Sequence, residues 1–377
     1  MKKMMAVVLA LALVATMSSV AFAEDTIKLG SIGPLTGPYA QYGNGVANAI
    51  QLAIDEINAQ GGVQFSLLSE DDEGDGEKAV SAYNKEMDEG LQILVGTVTS
   101  GACAAVADVA YSDRVFLLTP SASSPTVTEG RDNVYQVCFT DPNQGSGAAD
   151  YIASKNLGSK IAVIYNNAQD YSDGIYRSFK ARAEELGLNV VSVSTFSDDA
   201  NADFSVQLAD AKNAGADLVL LPIYYTPVSA ILQQAKAMDY APVFFGVDGM
   251  DGLLTIEGFD TSLAEGAYML TPFDANAQDE RTVNFVTKYV EKYGETPNQF
   301  AADAYDAVYI VYAACQELGI TAESAPEDIC EMMIEWMQSA TYSGLTGSDM
   351  TWNANGEVTK LATAVIIQDG VYVSVDK

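Results

Sequence analysis

Two apolar runs in this 377-residue chain end in small hydroxyl residues. "LQILVGTVTSGACAA", residues 91–105, passes into Thr97, Thr99 and Ser100, and "LLTPSASSPT", residues 117–126, carries Ser121 and Ser123. Further on, "FFGVDGMDG" ends another apolar run in Asp248, with Asp251 three residues later as a competing acid, and Tyr171 and Tyr224 follow two more such runs. Hydroxyls and exposed backbone N–H groups at the start of a helix suit a carboxylate, whereas a lone acid suits an ammonium. A ligand bearing both charges fits the pair, and an α-amino acid is the simplest one. Charge-assisted hydrogen bonds contribute about 1.5–3 kcal/mol each, so a few of them reach the roughly −8 kcal/mol of micromolar binding. Each residue also has a plainer reading. Ser100 could cap a helix, Ser121, Ser123 and Asp248 could form turns, and Tyr42, Tyr171 and Tyr224 belong to a chain with 20 tyrosines.

Other chemistries find little support. The chain has no histidine, which excludes Ser-His-Asp and Cys-His catalysis and His-ligated metals; a carboxylate or tyrosine enzyme stays conceivable. "EDDEGDGE", residues 70–77, has no acid at the twelfth position of an EF-hand loop, so it reads as a solvated acidic loop. "GSIGPLTGPYAQYGNG" is glycine-rich before a helix, but it lacks the lysine of a P-loop and the glycine spacing of a dinucleotide fingerprint. No cofactor is expected.

The elements that must hold these residues alternate regularly. Strand-like runs at "TIKLGSIGPL", "VQFSLLSEDDEGD", "LQILVGTV" and "RVFLLTP" are separated by helical periodicities, the first through Val46, Ala49, Ile50, Ala53, Ile54 and Ile57. The beat resumes with "KIAVIY", "NVVSVSTF", "DLVLLPIYY", "PVFFGVD" and "GAYMLTPF", with helices near 173–186, 203–214, 227–238, 279–293 and 298–318. The last predicted pair of strands, "LATAVIIQDGVYVSV", turns at Asp369-Gly370 in the manner of a type I′ hairpin. Successive βα units predict parallel sheets covered by helices. The fold class expected is α/β, with two Rossmann-like lobes joined by a multi-crossing hinge around a ligand cleft. "FTDPNQG" and "LTPFDAN" read as short polar crossings between the lobes.

The chain opens with Lys2 and Lys3, an apolar stretch and Ala21-Phe22-Ala23, the layout of a secretory signal peptide cut after Ala23. Removing 23 of 377 residues leaves 354, ample for two lobes, and losing the two lysines moves the formal charge from −32 to −34. Such a charge argues against nucleic acid and anionic membranes as partners. Export permits disulfides. Sequence position favours Cys103 with Cys138 and Cys315 with Cys330, and four buried free thiols are the equal alternative.

Taken with "GSIGPLTGPYAQYGNGVANAIQLAIDEINAQGG", "LLTPSASSPTVT", "YTPVSAILQQAKA" and "GLTGSDMTWNANGEV", residues 24–377 resemble type I periplasmic binding proteins, specifically the leucine/isoleucine/valine receptors of ABC importers. The resemblance implies a periplasmic or extracellular monomer that binds a branched-chain or similar aliphatic amino acid and delivers it to a membrane permease. It places the carboxylate on Ser100 and Ser123, and the ammonium on the Ser121 carbonyl and Asp248. It places Tyr171 and Tyr224 on the second lobe's side of the ligand, Tyr42 over its side chain and Phe300 near the same pocket. It implies three crossings, with lobe one at 24–142 and 273–358 and lobe two at 143–272 and 359–377. The familiar receptors carry Glu where Asp248 stands and Thr where Ser123 stands, which puts the side-chain preference in question. Their disulfide would fall on Gly74 and Thr99, so it is absent here. A receptor of the same fold for another amino acid or small carboxylate (an aromatic acid, a short amide), or a ligand sensor, is the alternative.

Overall fold

A computed structural model describes residues 26–197, 203–360 and 363–375; the signal-peptide reading of residues 1–23 lies outside them. Five parallel strands, β1 (Ile27–Gly33), β2 (Phe65–Asp71), β3 (Ile93–Leu94), β4 (Phe116–Thr119) and β5 (Val134–Gln136), form one sheet in the order β2-β1-β3-β4-β5. Helices α1 (Ala40–Gln60), α2 (Gly76–Asp88) and α3 (Ser100–Asp113) make its crossovers. The short strands β3 and β4 are buried along their whole length, as strands covered by helices on both faces must be.

After α4 (Asp141–Lys155) the same grammar restarts with β6 (Ile161–Asn166), α5 (Asp170–Leu186), β7 (Val190–Phe196), α6 (Ser205–Asn213), β8 (Leu218–Leu221), α7 (Tyr225–Ala237), β9 (Val243–Gly246) and β10 (Tyr268–Thr271). Strands β11 (Thr363–Gln368) and β12 (Val371–Ser374) complete a seven-stranded sheet of order β12-β11-β10-β9-β8-β6-β7, with β11 and β12 antiparallel. Asp369 and Gly370 between them have φ of 53° and 75°, the two positive values a type I′ turn demands. Between β10 and β11 the chain returns to the first sheet. Helices α8 (Glu280–Tyr293) and α9 (Gln299–Leu318) pack on α1, and α10 (Pro326–Met337) lies on β3 and β4.

The strand order reverses at β1/β3 in one sheet and at β6/β8 in the other. Ligands in open α/β sheets bind beyond the carboxyl ends of strands at such switch points. The segment 342–360 is fastened to the first sheet and its helices. The Gln136 N–H donates to the Gly356 carbonyl (2.9 Å), and Trp352 Nε1–H donates to the Gln136 carbonyl (2.8 Å). Lys360 Nζ lies 2.6 Å from Asp303 Oδ1, with both side chains buried. A buried pair of this kind is strongly destabilised when one partner is removed.

Three sequence expectations need correction. "FTDPNQG", read as a short polar crossing, is mostly the start of a helix: Thr140 caps α4, accepting from the Asn143 N–H, and Pro142 stands in the first turn, a helix start that was legible as such. The four cysteines form no disulfide. Cys103, Cys138, Cys315 and Cys330 are all buried free thiols; Cys103, Cys315 and Cys330 sit in the hydrophobic core as small hydrophobes. The acidic loop is not wholly solvated either. Asp72 is fully buried and accepts from the Gly74 N–H at 2.7 Å, while Asp71 accepts from the Leu35 and Thr36 N–H groups.

Candidate functional site

Six of the loops and helix starts at the carboxyl ends of the parallel strands converge on one cavity. From the first lobe come Tyr42 in the first turn of α1, Thr99 and Ser100 at the start of α3, and Ser121 after β4. From the second come Tyr171 in the first turn of α5, Tyr224 before α7, and Asp248 with Gly249 after β9. Phe300, in the first turn of α9, closes the side. Of the eight residues selected in the sequence as ligand-binding, only Ser123 does not line this cavity.

Ser123 is committed elsewhere. Its hydroxyl donates to Asp141 Oδ1 at 2.7 Å, and its N–H donates to Ser100 Oγ at 3.2 Å. The Ser124 N–H reaches the same Oγ at 3.3 Å. A serine oxygen has two lone pairs and one proton; with both lone pairs engaged, the Ser100 proton remains to donate. Ser100 is therefore not the cap of α3. Thr99 holds the cap position, without a side-chain cap bond, and Ser100 stands one residue inside, where the helix dipole favours an anion. The Ser121 hydroxyl donates to the Val98 carbonyl (2.8 Å), which leaves its backbone carbonyl as the group able to accept from a ligand.

The opposite wall is a closed network. The Tyr171 hydroxyl donates to Asp248 Oδ1 (2.6 Å) and accepts from the Gly249 N–H (2.9 Å). Gln144 Nε2 donates to Asp248 Oδ2 (2.8 Å), and the Asp248 N–H donates back to Gln144 Oε1 (3.2 Å). Burial pushes the Asp248 carboxyl up to about 7, against the opposing pull of hydrogen bonds from Tyr171, Gly249 and Gln144. Gly249 is required by close approach: a Cβ there would stand 2.4 Å from the Tyr171 hydroxyl and 3.1 Å from the Ile223 carbonyl.

Aromatic rings fill the remaining wall. Tyr171 stacks on Tyr224 with centroids 4.7 Å apart, and Tyr42 meets Phe300 edge-on at 4.8 Å. The lobes touch here: the Tyr42 hydroxyl donates to the Gly249 carbonyl, the Tyr225 N–H donates to that hydroxyl (3.3 Å), and Thr226 Oγ1 donates to the Pro38 carbonyl (2.8 Å). The enclosed space is about 10 Å³, roughly the room of one water.

A family model described as periplasmic binding protein matches residues 26–370. The chain belongs to that family. Among characterised relatives, a Leu/Ile/Val-binding protein of Rhizobium johnstonii is 30% identical over 351 residues, covering 92% of this chain and 93% of its own. The leucine-, isoleucine-, valine-, threonine- and alanine-binding protein of Pseudomonas aeruginosa is 29% identical over 339 residues, with coverages of 89% and 88%. The crystal structure of the branched-chain amino acid transporter substrate-binding protein LivJ of Streptococcus pneumoniae, in complex with isoleucine, superposes with a TM-score of 0.83 at 29% identity, covering 92% of this chain and 97% of that one. These likenesses confirm the family reading of the sequence and the two-lobed α/β class.

Two residues of this periplasmic binding protein's site escaped the sequence reading. Gln144 was hidden in the segment read as a polar crossing; recognition of the Thr140-Asp141-Pro142 helix start would have put it in the first turn of a helix. Thr99 was visible as a strand-end hydroxyl but not selected. Its Oγ1 is buried and has no hydrogen-bond partner among the described residues. Asp251, the competing acid, does not line this cavity.

Proposed function

We propose that this periplasmic binding protein captures a branched-chain or similar aliphatic amino acid between its lobes, outside the cytoplasm, and hands it as a monomer to the membrane permease of an ABC importer. The names of the relatives support the ligand class and the transport setting. The observation that carries the reading is one cavity bounded by the available Ser100 proton on one lobe and Asp248 on the other. Ser100, with the helix start behind it, takes the α-carboxylate, and Thr99 Oγ1 is a second donor within the same wall. The Ser121 carbonyl and Asp248 take the α-ammonium. Tyr42, Tyr224 and Phe300 form the apolar wall for the side chain, and Tyr171 holds Asp248 in place. Ser123 contributes by fixing Ser100 through its N–H rather than through its own hydroxyl. Since the cavity holds little more than a water, ligand entry requires the lobes to part and the crossings at 142/143, 272/273 and 358/359 to bend. No step makes or breaks a covalent bond. Secretion, with cleavage after Ala23, belongs to the same proposal.

A second reading, a receptor for a small carboxylate without an amine, has one observation in its favour. Both Asp248 oxygens already accept hydrogen bonds, so a ligand lacking an ammonium leaves this acid satisfied. A thermal-shift panel on residues 24–377, stripped of ligand by unfolding and refolding, separates the two. It would hold the twenty amino acids with keto, fatty and aromatic acids. A ligand at a hundred times its dissociation constant adds about 2.7 kcal/mol of stability. Shifts led by Leu, Ile and Val support the first reading; shifts only with amine-free acids replace it with the second.

A further inference from the structure

Three neighbouring residue pairs divide between two cavities. Tyr42, Asp248 and Phe300 line the site described above, while Gln41, Asp251 and Gln299 line another of about 220 Å³. This second cavity also lies between the lobes, with Gln41 and Gln299 on one side and Asp251, Met269 and Val365 on the other. Leu254, Met269, Phe273 and Val365 give it apolar walls.

Its buried acid is Asp251, and the buried Tyr372 hydroxyl stands beside it. Asp251, only 5% exposed, takes the Gly252 N–H on Oδ1 and the Gln299 N–H on Oδ2, each at 2.9 Å, with the Tyr372 hydroxyl a third, neutral donor beside it that a cation can replace. The Gln299 amide has a fixed sense, because Nε2 donates to the Asp248 carbonyl at 3.3 Å. That leaves Oε1 on a side chain 1% exposed, buried and without a hydrogen-bond partner among the described residues. A buried amide oxygen without a donor is costly. Asp274 and Glu295 also line the cavity, and among the described residues no Lys or Arg does.

We propose that this cavity is a second binding site, for a small organic ammonium such as a short alkylamine. Its N–H groups reach Asp251 and the Gln299 Oε1, and its hydrocarbon lies against Leu254, Met269, Phe273 and Val365. A cavity of ~150 Å³ accepts benzene, so this one accommodates an amine of about six heavy atoms. A carboxylate is repelled by Asp251, Asp274 and Glu295, so a zwitterionic amino acid is excluded. Since both lobes contribute walls, an occupant bridges them in the closed arrangement, beside the first ligand and separated from it by the 248–251 turn.

The test is calorimetric titration of the mature chain with 3-methylbutylamine, alone and with leucine at saturation. The amine binds in both conditions. Asp251→Asn weakens it at least tenfold, as does Leu254→Trp, which fills the cavity from a half-buried wall position, while Ser100→Ala leaves it within twofold. Two results overturn the proposal: no amine binding at millimolar concentration, or amine binding that leucine displaces and Ser100→Ala removes, which would put the amine in the first site. The amine result is independent of which amino acid, if any, the first site takes.

Discussion

The two faces of the cleft are built to opposite rules. On the first lobe, Ser100 is held by two N–H groups with its own proton uncommitted, and Thr99 Oγ1 has no partner among the described residues. On the second, both oxygens of Asp248 and the hydroxyl of Tyr171 are already bonded to their neighbours. A face with available donors receives an anion without rearrangement. A face whose acid is already satisfied must exchange a neutral donor for the ligand's ammonium, at a desolvated carboxyl raised to about 7. The account therefore has the ligand dock by its carboxylate on the first lobe, with closure adding the exchange at Asp248.

The largest expected effect tests the second face. Asp248→Ala leaves the ammonium buried opposite nothing, a loss of about 2–5 kcal/mol, read as a fall of thirtyfold or more in amino-acid affinity by calorimetry. An affinity unchanged by this substitution would break the comparison. Next comes Ser100→Ala, which removes the anion donor and the acceptor of two N–H groups. It costs about 1.5–3 kcal/mol of binding, some ten- to a hundredfold, with selectivity among side chains preserved.

The pH profile sharpens the contrast. Asp248 must be ionised to hold the ammonium, so below about 7 the ligand must first displace a proton. Affinity then falls about tenfold per pH unit as pH drops below that value, and Asp248→Asn flattens the curve. The stability of the ligand-free protein runs the other way. The folded state keeps this proton up to about 7, whereas the unfolded chain loses it near 3.8. The relative stabilisation from this group is thus full below about pH 4 and lost as pH rises through 7. Denaturant melts of wild type and Asp248→Asn across that window measure it.

Tyr171→Phe is milder. It removes a donor that favours the ionised acid, so the midpoint of the affinity profile moves to higher pH, and binding at pH 8 weakens by about 1 kcal/mol, close to fivefold. The smallest effect is at Ser123. Because its hydroxyl is committed to Asp141, Ser123→Ala leaves affinity within about threefold, by the usual worth of a neutral hydrogen bond near 0.5 kcal/mol at the low end. A loss as large as that of Ser100→Ala would return the Ser123 hydroxyl to the ligand.

The sequence was most legible where one element decides the outcome. Apolar runs ending at Thr97, Thr119 and Gly246 marked strand ends, and strand ends in parallel sheets mark sites, so seven of the eight selected side chains meet at one cavity. It was least legible where a side chain's partner lies far along the chain. Nothing local to Ser123 announces Asp141, nothing near Asp248 announces Gln144, and Lys360 reads as an exposed lysine until Asp303 is folded against it. The cysteines show the same limit: proximity in sequence suggested two pairs, and all four are buried free thiols in the fold.

The most direct test of the account is paired calorimetry of ligand-stripped protein at pH 8 with L-leucine and with 4-methylpentanoate, which matches its carbon skeleton and carboxylate but lacks the amine. The account predicts micromolar or tighter binding of leucine and at least thirtyfold weaker binding of the amine-free acid, a difference that Asp248→Asn largely erases. Equal affinities, or a preference for 4-methylpentanoate, would contradict the pairing of Asp248 with an ammonium and with it the amino-acid assignment.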